Sequence, residues 1–301
     1  MKTPTTAPLT RFDVFVPGAF PAYSYVTRKF QNARTGREVD PEILIANALK
    51  QPGIIAQVVG PSKSGKTRAI ENCVGIENLL TVAGSQLGQG VSLWDIVIRM
   101  LETPESSETA KSIGTKQTGS AKVSLSADVP LIASAEAELS AEQEKSREHE
   151  RTLKFSVDPF QTATREIFRK QKVLFLDDFH TIPDASKSYV AAQLKAAAQL
   201  GVRICLAEVP HHSDSTISAL PDLTARVQRI EFQYWNLQDL EQIGTVGFQI
   251  LNAVISPASL AAFAMEAAGS PQLMQLVCLN AAANKKIDER LATSGVNLNS
   301  T

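Results

Sequence analysis

Along most of the chain, short apolar runs alternate with stretches whose apolar residues recur at helical spacing. "IIAQVV" (Ile54 to Val59), "NLLTVAG" (78–84), "KVLFLDDFH" and "VRICLAEVP" read as buried strands. Between them, "DPEILIANALKQ", the residues leading to Gly75, "VSLWDIVIRMLE", "PFQTATREIFRKQ" and "DASKSYVAAQLKAAAQLG" read as helices. Asp40 stands as a cap with Pro41 at the first helical position, and Gly201 closes the last of these segments. Strands alternating with helices of this length imply a parallel sheet with right-handed crossovers.

Two regions depart from that rhythm. From 103 to 157 the period shortens to two: Val123, Leu125, Ala127, Val129 and Leu131 fall on one face, with Ser124, Ser126 and Asp128 on the other. This predicts an inserted β-hairpin or small sheet, with Pro130 ending or kinking the first strand. After "RVQRIEFQYW" strands stop, and three helices are expected to begin at Asn236, Ser256-Pro257 and Ser270-Pro271. The expected organisation is therefore an N-terminal segment (1–50), an α/β core (51–235) carrying the insert, a helical lid (236–290) and a loose polar tail (291–301).

The chemistry begins at the first strand. Gly60, Gly65, Lys66 and Thr67 fit G-x-x-x-x-G-K-[ST], with a strand before and a helix after. In such a loop, Gly60, Pro61, Ser62, Lys63, Ser64, Gly65, Lys66, Thr67 and Arg68 wrap phosphate oxygens at a helix N-terminus. Lys66 supplies charge to the terminal phosphates, and the Thr67 hydroxyl is a ligand for Mg²⁺. At the end of "VLFLDD", Asp177 is placed to hold Mg²⁺ and Asp178 to act as a short base toward water. Paired acids after a strand also cap helices, which beside the Gly60–Thr67 loop is the minor reading. Glu208, at the end of the next strand, reads either as an orienter of water or as a solvated strand end. His211-His212 lacks a second ligand pair at metal-binding spacing and reads as a loop pair.

On these residues and on "ALPDLTARVQRIEFQYW", the chain resembles the AAA+ ATPases and their STAND relatives over about residues 20 to 285. That resemblance implies an α/β P-loop NTPase core with helices on both faces of a parallel sheet, and a C-terminal helical lid. It implies ATP with Mg²⁺ as ligands. It also implies a homo-oligomer in which Arg226, or else Arg229, reaches the neighbouring subunit's nucleotide. "AFPAYSYVTR" is similar to the segment that packs on adenine, which places Tyr25 and Val26 near the base. "AGSPQLMQLV" is similar to the lid motif that usually carries an arginine. Gln272 stands in its place, which points to altered nucleotide sensing and slow hydrolysis. The arginine-then-tryptophan order before the lid also resembles transposition-regulator ATPases of the TniB type. The resemblance suggests a separately encoded effector protein, in an anti-phage defence or mobile-element setting.

Composition narrows this picture only slightly. Thirty basic and 31 acidic residues give a net charge of −1, so bulk electrostatics do not support nucleic acid as a partner. "TRKFQNARTGR", with Arg28, Lys29, Arg34 and Arg37, is the one short cationic run suited to a DNA-acting regulator, the alternative reading. Cys73, Cys205 and Cys278 are far apart among apolar neighbours, as expected of buried thiols in a reducing, cytoplasmic setting. No apolar run approaches the ~18–20 residues needed to span a bilayer, so no membrane partner is expected.

Overall fold

The computed structural model describes residues 8–31, 36–88, 90–102, 158–210 and 226–291. The expected β insert, the histidine pair and most of the polar tail lie outside the described residues. Two compact units are distinguished, Met1–Leu93 with Ile167–Thr301, and Trp94–Glu166.

Five strands, β1 (Ile55–Val59), β2 (Leu79–Ala83), β3 (Val173–Asp177), β4 (Arg203–Glu208) and β5 (Val227–Glu231), form one sheet in the order β2-β3-β4-β1-β5. Every pairing is parallel. The fold is a five-stranded parallel sheet with helices around it, followed by a helical C-terminal region. Apart from the strand ends, both alternating sets of side chains in β1, β3 and β4 are buried and, but for Gln57, apolar, as a sheet covered on each face requires. Helices α2 (Pro41–Lys50) and α3 (Lys66–Val74) contribute Ile45, Ala48, Leu49, Ala69 and Ile70 to a core built on Ala56, Val58, Val173, Phe175, Cys205 and Ala207. α6 (Asp184–Gln199) buries Val190, Ala191, Leu194, Ala197 and Ala198.

Local signals set the helix starts. Asp40 accepts from the backbone N–H groups of Glu42 and Ile43, with Pro41 inside the first turn of α2. Asn236, Ser256 and Ser270 cap α7 (Leu237–Ile250), α8 (Pro257–Glu266) and α9 (Pro271–Asn284), each accepting from the backbone N–H three residues on. These helices enclose a second core around Leu240, Ile243, Phe248, Leu260, Met274 and Cys278.

That second core also receives Val14 and Phe15 from the N-terminus, which the sequence pattern does not announce. Val14 ends, and Phe15 follows, a one-turn helix, α1 (Arg11–Val14), which a reciprocal Thr10–Asp13 cap fixes. Backbone hydrogen bonds from Arg11 to Asp288 and from Arg290 to Leu9 tie the segment to the residues after α9. Within the Trp94–Glu166 unit, Trp94 on α4 (Leu93–Glu102) meets Phe160 on α5 (Pro159–Arg169) edge-on, at 5.0 Å and 77°.

Cys205 and Cys278 are buried thiols as expected, and burial pushes both up; Cys73 is only partly covered. Among the described residues no helix is long and apolar enough to cross a membrane.

Candidate functional site

The loop between β1 and α3 opens at the C-terminal edge of the sheet, and β3 and β4 end at the same edge. Gly65 sits at φ +91°, a conformation open to glycine, and the helix begins at Lys66 with no side-chain cap. Its first N–H groups are therefore left for an anion. At Gly60 the constraint is contact: a Cβ there would lie 2.6 Å from Phe232 Cβ.

Lys66 is 7% exposed, and its Nζ donates to the carbonyls of Gly60 and Pro61, both at 2.8 Å. Burial lowers its pKa, against which Asp177 and Asp178 act. Thr67 Oγ1 donates to Asp177 Oδ2 at 3.0 Å. The second Asp177 oxygen accepts from the Asp178 backbone N–H at 3.0 Å. Desolvation raises the Asp177 pKa, with the Thr67 hydrogen bond opposing it. Asp178 itself is exposed and sits in the left-handed region at φ +50°, where Thr181 Oγ1 holds its carbonyl.

A cavity of about 330 Å³ adjoins the loop. Ser62 through Arg68, Asp177 and Asp178 form its polar wall, and Gln272 reaches it from α9. The N-terminal segment closes another side with Tyr25 and Val26. The Tyr25 ring stacks on Phe20 at 5.1 Å, and its hydroxyl donates to Glu42 Oε1 at 2.7 Å. Burial, then Glu42, raises the Tyr25 pKa. Arg68 spans to the same segment by donating to the Gly18 carbonyl at 3.0 Å. The N-terminal segment thus offers apolar surface with one aromatic ring, Tyr25, and the loop offers N–H groups, a lysine and nearby carboxylates. That is the division a nucleotide's base and phosphates require.

The donor set suits Mg²⁺, with one hydroxyl and one carboxylate oxygen close together. Among the described residues no group of three or more His, Cys, Asp or Glu side chains is placed to hold a metal ion.

Two expected site residues lie elsewhere. Glu208 is fully buried and is not on the cavity wall, so it is not a solvated strand end; its backbone carbonyl accepts from Gly60 N–H at 3.1 Å. Arg226 stands at the start of β5, where its carbonyl accepts from Ile55 N–H. The five-residue strand puts it roughly 16 Å from the loop end of the sheet, so it cannot serve its own cavity. Arg229 pairs with Glu231 at 3.2 Å.

The cationic run is also not the solvated stretch that its charge suggests. Lys29 pairs with Glu38 on the surface, but Arg28 is 6% exposed. Its guanidinium carbon lies 4.9 Å from the centre of the Trp235 ring, 5.2 Å from Phe232 and 5.8 Å from Phe30. Sequence reading missed Arg28 and Trp235 as parts of this site. Of the aromatic faces around Arg28, Phe232 and Trp235 lie some two hundred residues away, and no local pattern marks them.

No protein-family model matches the chain, and no curated protein matches it. Among solved structures it is similar to RuvB of Thermotoga maritima, a Holliday junction branch migration motor, at 12% identity and a TM-score of 0.45. The match covers 83% of this chain, which spans 64% of the length of that RuvB chain. It is similar also to Cdc6p from Pyrobaculum aerophilum, at 15% identity and a TM-score of 0.49, over 93% of this chain and 68% of that one.

Proposed function

We propose that the chain is an ATPase of the AAA+ class, binding ATP with Mg²⁺ and acting as an oligomeric switch on a partner protein. The observation that carries the reading is the Thr67–Asp177 hydrogen bond beside Lys66, on a cavity that Tyr25 also lines. Bound Mg²⁺ would offset the negative charge of the phosphates. Thr67 and Asp177 are placed to hold it. Lys66, now donating to two loop carbonyls, has the reach to turn its ammonium to the terminal phosphates. Asp178, on the cavity wall and exposed, is the group placed to accept a proton from attacking water. Tyr25 and Val26 would cover the base, and Gln272 gives the lid a neutral contact where a charged one would strengthen phosphate sensing.

Arg226 enters this reading only through a neighbouring subunit, since its own strand holds it at the opposite end of the sheet. A guanidinium supplied across an interface would make hydrolysis depend on assembly. The effector, and a setting in anti-phage defence or a mobile element, are drawn from the sequence resemblance. The DNA-acting alternative loses ground, because Arg28 is spent inside the protein.

The test is the solution mass and phosphate release of the wild type, Lys66→Ala and Arg226→Ala, without nucleotide, with ADP and with a non-hydrolysable ATP analogue. The expected result is assembly with the ATP analogue, lost binding in Lys66→Ala, and retained binding with weakened assembly or turnover in Arg226→Ala. A mass that ignores nucleotide in every variant would remove the switch.

A further inference from the structure

The carbonyl oxygen of Ser64, inside the phosphate loop, is held from outside it by two donors. Trp235 Nε1 donates to it at 2.9 Å and Arg28 Nη2 at 3.4 Å. The donors come from separate parts of the chain: Arg28 from the N-terminal segment, and Trp235 from the residues just before α7. They are also held to each other, the guanidinium lying against the Trp235 ring, with Phe232 and Phe30 nearby. Burial pulls the Arg28 pKa down to about 10, while the Asp239 carboxylate in the first turn of α7 favours its charged form. A cation placed among three aromatic rings is held by its geometry as much as by its charge.

Peptide planarity turns this contact into a statement about phosphate binding. In a trans peptide the carbonyl and the next N–H point in opposite directions. The described residues contain no cis peptide. Holding the Ser64 carbonyl toward Trp235 and Arg28 therefore aims the Gly65 N–H away from them, toward the inside of the loop. The anchor matters because Gly65 is free in φ, so rotation of the Ser64–Gly65 peptide meets no Cβ.

We propose that Arg28 and Trp235 are positioning residues that set the Gly65 N–H for phosphate, and so join the lid-proximal segment to the phosphate loop. The inference rests on the nucleotide reading above. It makes two residues outside the loop motif responsible for the loop's donor geometry, without either touching the reacting atoms.

The test uses the full chain and compares ADP, ATP and adenosine, which shares the base and ribose but lacks phosphate. Trp235→Phe keeps an aromatic ring for Arg28 and removes the N–H donor together with the pyrrole part of the indole. Arg28→Lys keeps the charge and removes the planar fork. Each variant is expected to lower the melting temperature modestly with the loss of its hydrogen bond, to weaken ADP and ATP by about three- to tenfold, the scale of one hydrogen bond, and to leave adenosine affinity unchanged. Because both donors hold one carbonyl, the double variant is expected to lose less than the product of the single losses. Equal loss for ADP and adenosine, or ADP affinity unchanged in both variants, would overturn the proposal. A wild type that binds neither ADP nor ATP overturns the nucleotide reading itself, and this inference with it.

Discussion

The Thr67 hydroxyl donates to Asp177 Oδ2 at 3.0 Å, joining the first turn of α3 to the end of β3 across 110 residues of sequence. Because Asp177 is largely desolvated, its pKa is raised on folding. An acid shifted this way favours the folded state at low pH, and that contribution is lost as pH rises through the raised value. Ionising Asp177 in the folded chain therefore costs stability, because its burial disfavours the charged form, and a bound cation would offset that cost.

Asp177→Asn is accordingly expected to melt above the wild type at pH 7 without nucleotide, the gap closing as pH falls toward the ordinary carboxylate range. The amide can meet both present partners: its oxygen accepts from Asp178 N–H, and its NH₂ donates to Thr67 Oγ1. The same variant should lose about tenfold or more of the Mg²⁺-dependent part of ATP affinity. Melting curves at several pH values and ATP titrations with and without Mg²⁺ check both halves. A variant that melts below the wild type at every pH would show that the carboxylate is structurally needed.

Asp178→Asn separates binding from turnover. Asn is among the few residues that adopt the left-handed conformation readily, so φ +50° is kept. ATP affinity should stay close to that of the wild type, while phosphate release at saturating ATP falls by about 10²- to 10⁴-fold, the usual contribution of a general base. Unchanged turnover would remove Asp178 from the chemistry.

What could be read in the sequence was local. The Gly60–Thr67 loop, Asp177 at a strand end and the caps at Asn236, Ser256 and Ser270 each depend on residues within a turn or two of one another. What could not be read depends on distant partners. Arg28 sits in a charged run and reads as solvated until Phe232 and Trp235 are folded over it. Glu208 reads as a strand end meeting water until the neighbouring strand and loop bury it. Phe15 lies in a segment without periodicity, and only the assembled helices show where it goes.

Tyr25 tests the base-binding wall by subtraction. Tyr25→Phe deletes the hydroxyl that donates to Glu42 at 2.7 Å, while Glu42 keeps its second partner, Asn72 Nδ2, also at 2.7 Å. The loss of stability should be about 1 kcal/mol, with adenosine affinity retained because the ring remains. Tyr25→Ala removes the ring facing the cavity and should weaken adenosine and ATP in equal proportion, by about threefold or more. Isothermal titration with both ligands decides. If Tyr25→Ala weakens only ATP, the Tyr25 ring does not meet the base.

Gly247 lies in the interior of α7, where glycine is ordinarily a weakness and alanine would stabilise by about 0.5–1 kcal/mol. Here the exchange should do the reverse. A Cβ at this position would collide with the ring of Phe15, which is 1% exposed and packed on Phe248 at 5.0 Å. The ring cannot swing away cheaply. Phe15 N–H is bonded to Arg11, and the next N–H, from Val16, donates to Gln275 Oε1 at 3.2 Å. Gly247→Ala is therefore expected to lose about 1–3 kcal/mol by overpacking, whereas Gly18→Ala, with nothing within 4 Å of the added Cβ, should be neutral within about 0.5 kcal/mol. The penalty at Gly247 should shrink in a Phe15→Leu background, because the two positions share one space. Urea denaturation of the three single variants and the pair measures this, and a Gly247→Ala protein as stable as the wild type would place Phe15 elsewhere.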